Sequence, residues 1–270
     1  MTDPATTFRA LHQTEALFVM PNPWDAGMAQ ILKALGFKAL ATASAAQAFA
    51  LGLEDESDQV GKDAAIDHAK MMTEAVDLPI NGDFQDGFGA QPEDVAETIT
   101  HSIAAGLAGC SIEDLRGDGL YDRSLAIDRI KAAVEARNAT GSNFVLTARC
   151  ESYIADHPKP LEEAIDRLAA MAEAGADVVY ACGMYERDHI AALVREVPVP
   201  VNVLGGTGPK PLSVRELEDL GVRRVSLGPR LLQAALSGFL QASKEVAGQG
   251  TFNFMSTAPS LDSVSDLIRR

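Results

Sequence analysis

The chain has 270 residues, 47% of them hydrophobic and 23% charged, a balance that supports a sizeable core and excludes a disordered polymer. Against 23 Lys and Arg stand 38 Asp and Glu, a formal charge of −15, which repels polyanions and argues against nucleic acid as a partner. No apolar run reaches the roughly 20 residues of a membrane span, and the first ten residues carry no basic-then-apolar leader, so a soluble, unprocessed, cytoplasmic chain without a membrane partner is expected.

In chain order, short apolar segments of β type predict strands at 17–20, 38–42, 78–82, 109–112, 144–148, 178–181, 199–203 and 224–227. Between them, Ala, Leu, Ile and Met recur at three- and four-residue spacing, predicting helices at 25–35, 63–75, 92–105, 125–137, 160–174, 187–196 and 213–220. Several of these helices stop at a glycine, as at Gly36 and Gly175, with the next strand a few residues on. Runs such as Phe144-Val145-Leu146 and Val178-Val179-Tyr180 are apolar at successive positions, as strands covered on both faces require. Eight such units predict an α/β fold, a (β/α)8 TIM-type barrel over residues 1–247. A doubly wound open sheet is the alternative, but its Gly-x-Gly-x-x-Gly turn after the first strand is missing. Residues 248–270 form a C-terminal tail, with a short amphipathic helix at 260–270 whose apolar residues need a surface, such as a second subunit.

Barrel chemistry sits at the C-terminal ends of strands. There the predicted strands run into Asn22 and Trp24, Ser44, Asp83, Glu113, Arg149 and Asn202. Asp83 and Glu113 on neighbouring strands suit a hard divalent cation such as Mg²⁺, and Arg149 suits a two-pronged grip on a carboxylate or phosphonate. The structural alternative is that Asp83 and Asp86 shape a turn, Glu113 and Asp114 cap a helix, and Arg149 neutralises them. Trp24 either closes the pocket floor or anchors a loop. Of five histidines, His157, in the loop after the fifth strand, is the candidate proton carrier. Cys110, Cys150 and Cys182 lie far apart and form no zinc cluster, which fits a reducing compartment. Cys150 and Cys182 follow strands and could line the pocket.

The string Asn81-Gly82-Asp83-Phe84-Gln85-Asp86-Gly87-Phe88-Gly89, with Ser111-Ile112-Glu113-Asp114, Thr147-Ala148-Arg149 and Pro200-Val201-Asn202-Val203, resembles the isocitrate lyase / phosphoenolpyruvate mutase superfamily. Thr42-Ala43-Ser44-Ala45-Ala46 and Leu51-Gly52-Leu53-Glu54-Asp55 extend the resemblance, which covers roughly residues 8 to 240. It implies a barrel that binds Mg²⁺, or Mn²⁺ in its place, and a small oxoacid. It also implies a homo-oligomer, a dimer or a tetramer, that exchanges a C-terminal helix.

Residue by residue, the resemblance implies Asp83 on the metal, Glu113 on metal-bound water, Asp55 as an acid behind the metal, and Arg149 at the reacting group. It places Ser44, Ala45 and the amide of Ala46 on the substrate carboxylate. Gln85 stands where relatives carry a second metal-associated acid. After Glu113-Asp114, where citrate-type lyases carry Lys-Lys-Cys-Gly-His and the mutases a lysine- and asparagine-bearing loop, this chain has Leu115-Arg116-Gly117-Asp118-Gly119-Leu120-Tyr121. Arg116 is the one cation in that segment, as a lid over the site or as a solvated surface residue. The implied activity is a Mg²⁺-dependent carbon–carbon lyase acting on a small 2-oxo or 2-hydroxy carboxylate through an enolate. The alternatives are a phosphonopyruvate- or carboxyphosphonate-type mutase or hydrolase, and a weakly active oxoacid-binding barrel.

Overall fold

A computed structural model describes residues 3–55, 59–117 and 119–269. Eight parallel strands form the sheet: β1 (Phe18–Met20), β2 (Leu40–Ala41), β3 (Ile80–Asp83), β4 (Gly109–Glu113), β5 (Val145–Cys150), β6 (Val178–Ala181), β7 (Val201–Leu204) and β8 (Arg224–Ser226). Each of β2 to β8 pairs with its predecessor or successor in the chain, and β8 returns to pair with β1 through Phe18 and Arg224. The remaining seam, between β1 and β2, is closed just past the strand ends. The Ala41 amide donates to the Pro21 carbonyl at 3.0 Å, and Asn22 Nδ2 donates to the Thr42 carbonyl at 2.6 Å. Asn22 Oδ1 accepts from Leu227 and Gly228 at 3.0 and 2.8 Å, so one side chain joins three strand ends. The eight expected strands are all present in a nearly closed barrel, and the open-sheet alternative falls because its two edges meet.

Eleven α-helices accompany the strands among the described residues: α1 (Pro4–His12), α2 (Ala26–Ala34), α3 (Ser44–Ala50), α4 (Lys62–Ala75), α5 (Pro92–Ala104), α6 (Arg123–Thr140), α7 (Pro160–Glu173), α8 (Arg187–Glu196), α9 (Val214–Asp219), α10 (Arg230–Gln249) and α11 (Leu261–Ile268). The seven predicted helices are there within a few residues. The strands' outward residues, such as Ile112, Leu146, Ala148 and Val203, pack in the main core beneath the helices. Their inward residues are unusually polar. Asn81, Ser111, Thr147, Asn202 and Arg224 are buried where barrels more often stack Val, Ile and Leu.

Helix α1 escaped the sequence reading because it is short and its apolar face is narrow. Asp3 caps it by accepting from the Thr6 amide at 3.0 Å, and Pro4 suits its first turn. Phe8 is fully buried among Phe18, Met20, Val145 and Val178, plugging the N-terminal end of the barrel. Gly109 allows that approach, since a Cβ there would lie 2.5 Å from the Val145 carbonyl oxygen and 2.9 Å from the Phe8 ring. Phe8→Ala is expected to lower stability by about 3–5 kcal/mol in urea unfolding. A loss below about 1 kcal/mol would show that α1 does not seal the barrel.

At the other end of the chain, α10 runs to Gln249 and stops at Gly250, whose φ of 66° supplies the left-handed cap. The expected break at 248 therefore falls two residues later. The expected tail helix is α11, capped by Ser260 and lying against α2 of the same chain. Leu232 is the buried residue of α10, whereas Phe239 and Leu240 are exposed. Among the described residues no helix is long and apolar enough to cross a membrane.

Candidate active site

Parallel pairing of β3, β4 and β5 sets Asp83, Glu113 and Arg149 side by side at their C-terminal ends. Arg149 Nη1 lies 3.3 Å from Asp83 Oδ1 and 3.1 Å from Glu113 Oε2. Its Nε donates to Glu151 Oε1, and its Nη2 donates to Cys182 Sγ at 3.3 Å. One guanidinium thus stands among three carboxylates. Burial pushes the Glu113 carboxyl well above its ordinary range; Arg149 opposes the rise, while the Glu151, Asp83 and Asp86 charges add to it. Burial likewise raises Glu151, against the pull of Arg149.

Asp83 is also held from the β2 side. Its Oδ2 accepts from the amide and hydroxyl of Ser44 at 3.0 and 3.2 Å, and Ser111 Oγ lies 3.3 Å from Oδ1. Its own amide donates to Thr42 Oγ1 at 2.8 Å. The loop beyond it bends through Gln85 and Phe88 at φ of 47° and 62°, conformations that non-glycine residues adopt only under constraint. The fully buried Arg129 supplies that constraint by donating to the Asp86 and Gly89 carbonyls. The Asp86 side chain faces the other way, accepting from Tyr121 and Arg116 at 2.6 and 2.8 Å.

A cavity of about 230 Å³ opens at these strand ends. Of the candidate residues, Ser44, Ala45, Asp55, Asp83, Arg149 and Asn202 line it. Glu113 stands beside it, reaching Arg149 from the flank. Others lie elsewhere. Trp24 packs with Ala43, Ala46 and Leu232 and its carbonyl is bonded to His68, so it anchors a loop. The Ala46 side chain is buried in that same cluster beneath α10, and its amide lies in the first turn of α3, into which this segment winds. Gln85 borders a water-sized hollow next to Ser44 and Asp83. Arg116 sits on a hairpin (Leu115–Arg116 with Gly119–Leu120), tied to Asp86 with its side chain 54% exposed, outside the cavity lining. Among the described residues His157 bonds its own loop, at the Lys159 amide, and it stands outside the cavity lining. His157→Ala is expected to leave turnover within about twofold of the parent in a steady-state assay. Cys150 is buried on the outer side of β5, while Cys182 does line the cavity, its thiol pushed up to about 11 chiefly by burial.

Two lining residues, Glu151 and Arg224, escaped the sequence reading. Ending the fifth strand at 148 hid Glu151. With β5 running to Cys150, strict alternation puts Glu151 on the side of Arg149. A charged residue within a strand covered on both faces was the available signal for Arg224.

The oxygen donors here are carboxylates, hydroxyls and an amide, including Asn81 Oδ1, buried in the cavity wall without a hydrogen-bond partner among the described residues. That is the donor chemistry of a hard divalent cation. Among the described residues no three His, Cys, Asp or Glu side chains are grouped to enclose an ion. A fitting cation is therefore one that keeps waters and takes one or two carboxylates.

The fold and site define a barrel enzyme with acids and one arginine at adjoining strand ends. The chain belongs to the phosphoenolpyruvate phosphomutase family, whose model matches residues 8–247, within the isocitrate lyase/phosphoenolpyruvate mutase superfamily of lyases and mutases. A Burkholderia cenocepacia structure provisionally described as a lyase/mutase is 44% identical, with a TM-score of 0.94 over 99% of this chain and 96% of the other. The Salmonella typhimurium 2-methylisocitrate lyase is 30% identical over 74% of this chain and 70% of its own length. Oxaloacetate acetylhydrolase, solved with its product oxalate, is 27% identical with a TM-score of 0.87, covering 98% of this chain and 94% of that one.

Proposed function

We propose that the protein is a carbon–carbon lyase acting on a short 2-oxo or 2-hydroxy dicarboxylate through an enolate. The observation that carries this reading is Arg149, fixed among Asp83, Glu113 and Glu151 on the wall of the cavity. In a 2-oxo acid, breaking the bond one carbon beyond the oxo carbon leaves an electron pair that comes to rest on the enolate oxygen. In a 2-hydroxy acid, the hydroxyl gives up its proton and becomes the oxo group as the bond beside it breaks, and the pair comes to rest as an enolate on the carboxylate of the departing fragment. A guanidinium held rigidly there stabilises that charge more than it stabilises the substrate. Ser44 and Ala45 border the 2-oxo carboxylate, and Asn202 meets the far end. Glu151, protonated more readily because it is buried, takes the proton-carrying role in place of His157.

A Mg²⁺ or Mn²⁺ ion, held by Asp83 with Glu113 and Asp55 through water, would supply positive charge for the substrate's oxygens. Gln85, a neutral side chain, makes the free protein's grip on that ion loose. The relatives named for 2-methylisocitrate and oxaloacetate support cleavage of this kind of substrate. Against phosphoryl migration stands the Leu115–Leu120 hairpin, whose one arginine is committed to Asp86, so no cation there follows a moving phosphoryl group. The exposed Phe239 and Leu240 of α10 support a homo-oligomer, which light scattering would show.

Incubation with oxaloacetate and 2-methylisocitrate in Mg²⁺ is expected to release an oxoacid or oxalate, with inhibition by oxalate. Phosphorus NMR that showed phosphonopyruvate consumed much faster than any dicarboxylate would overturn the lyase in favour of phosphorus–carbon chemistry. Oxalate binding without turnover of either class would leave an oxoacid-binding barrel.

A further inference from the structure

The cavity holds a second guanidinium, and it differs from the first in having no acid bonded to it among the described residues. Arg224, at the start of β8, is 1% exposed and forms part of the cavity floor. Its Nε donates to Asn202 Oδ1 at 2.9 Å, its Nη2 donates to Thr147 Oγ1 at 3.0 Å, and its Nη1 lies 3.3 Å from His12 Nε2. All three partners are neutral. His12 Nδ1 is 2.8 Å from the Phe8 carbonyl oxygen, so the ring proton sits on Nδ1 and Nε2 is the acceptor for Arg224. Burial, and then Arg224 itself, push this imidazole down to about 3.

A guanidinium has five N–H bonds, and among the described residues three find acceptors. Burial pulls Arg224 down to about 9, the signature of a cation that has lost water and, among the described residues, gained no counterion. The same contact orients its neighbour. Because Nε can only donate, Asn202 must turn its oxygen to Arg224, which leaves Nδ2 to donate to Ser226 Oγ at 3.0 Å; Asn202 and Ser226 both line the cavity. The cavity is therefore bipolar, with excess carboxylate at the strand ends and uncompensated positive charge with an N–H donor at the floor.

We propose that Arg224, with Asn202 Nδ2 beside it, receives the second carboxylate of the substrate and makes the cavity selective for dicarboxylates over monocarboxylates of the same length. This rests on the oxoacid reading above and adds the residue that decides between substrates. A deep site reached from an acid-lined mouth favours a ligand whose two ends meet opposite charges: a cation at one and Arg224 at the other.

Malate and 2-hydroxybutyrate share four carbons and the hydroxy-acid end, and differ in a terminal carboxylate against a methyl group. In calorimetry of the full chain with Mg²⁺, malate is expected to bind at least about tenfold more tightly. Arg224→Gln is expected to bring the ratio within about twofold. As that variant can lose the tie to α1 and fail to fold, His12→Glu provides a second test. It sets a carboxylate behind the guanidinium without altering the cavity wall, and it too is expected to collapse the ratio, while His12→Gln keeps it. A ratio unchanged in His12→Glu would make Arg224 a structural strut and overturn the assignment alone. Binding of neither acid to the parent protein would overturn the oxoacid reading and this assignment with it.

Discussion

Arg149→Lys is expected to lower kcat at least about a hundredfold with a smaller change in KM. Lysine keeps the charge but loses the planar fork that reaches Asp83, Glu113 and Glu151 at once. A contact worth most as charge develops on the reacting oxygen shows itself in kcat. A large rise in KM with kcat intact would make Arg149 a carboxylate anchor. Arg149→Met separates the structural part of its role. With the guanidinium gone, three carboxylates face one another without a cation, a loss that costs about 3–5 kcal/mol when a buried charge is left unpaired. The cost depends on pH with a definite sign. Glu113 and Glu151 already lie above the ordinary glutamate range through burial, held back by Arg149, and the variant raises them further. A carboxyl raised in the folded state contributes stability below its unfolded pKa and loses it as pH rises through the folded one. Urea unfolding should therefore show a small penalty below about pH 4.5, where the unfolded glutamates also protonate, and a larger one as pH rises toward the alkaline end. A penalty equal at both ends would show that the three acids are not coupled through Arg149.

Asp83→Asn is expected to abolish the heat of Mg²⁺ binding measured in the presence of oxalate, a weakening of at least about a hundredfold, or roughly 2.8 kcal/mol. Asparagine keeps one acceptor oxygen for the Ser44 amide and hydroxyl, and its Nδ2 can donate to Ser111 Oγ, which rotates to accept, so the turn survives while the charge is removed. Gln85→Glu tests the same site from the opposite direction. Its side chain borders the hollow shared with Ser44 and Asp83, and an added carboxylate there is expected to tighten Mg²⁺. Parent-like affinity in Asp83→Asn would remove Asp83 from the metal site, and an unchanged constant in Gln85→Glu would remove position 85.

The alternation of strands and helices was legible along the chain because periodicity is local: a strand covered on both faces is a short apolar run, and a helix repeats every three or four residues. That alternation, with strand ends as the site of barrel chemistry, brought Asp83, Glu113 and Arg149 together from sequence alone. Helix α1 and the strand-end helix α3 were not legible, since each shows its apolar side only to a barrel already closed. What the side chains do was decided by tertiary structure. Ser44 spends its amide on Asp83, 39 residues away, Arg116 turns to Asp86, and His157 stays in its own loop. The Arg224 guanidinium meets His12 across 212 residues of chain, a contact that exists only because β8 returns to β1 and α1 folds under both. Composition and periodicity determined the eight-fold frame and which residues reach its rim. The closure of the sheet determined which of those groups are paired, which are left charged, and hence where a cation and an anion are each drawn.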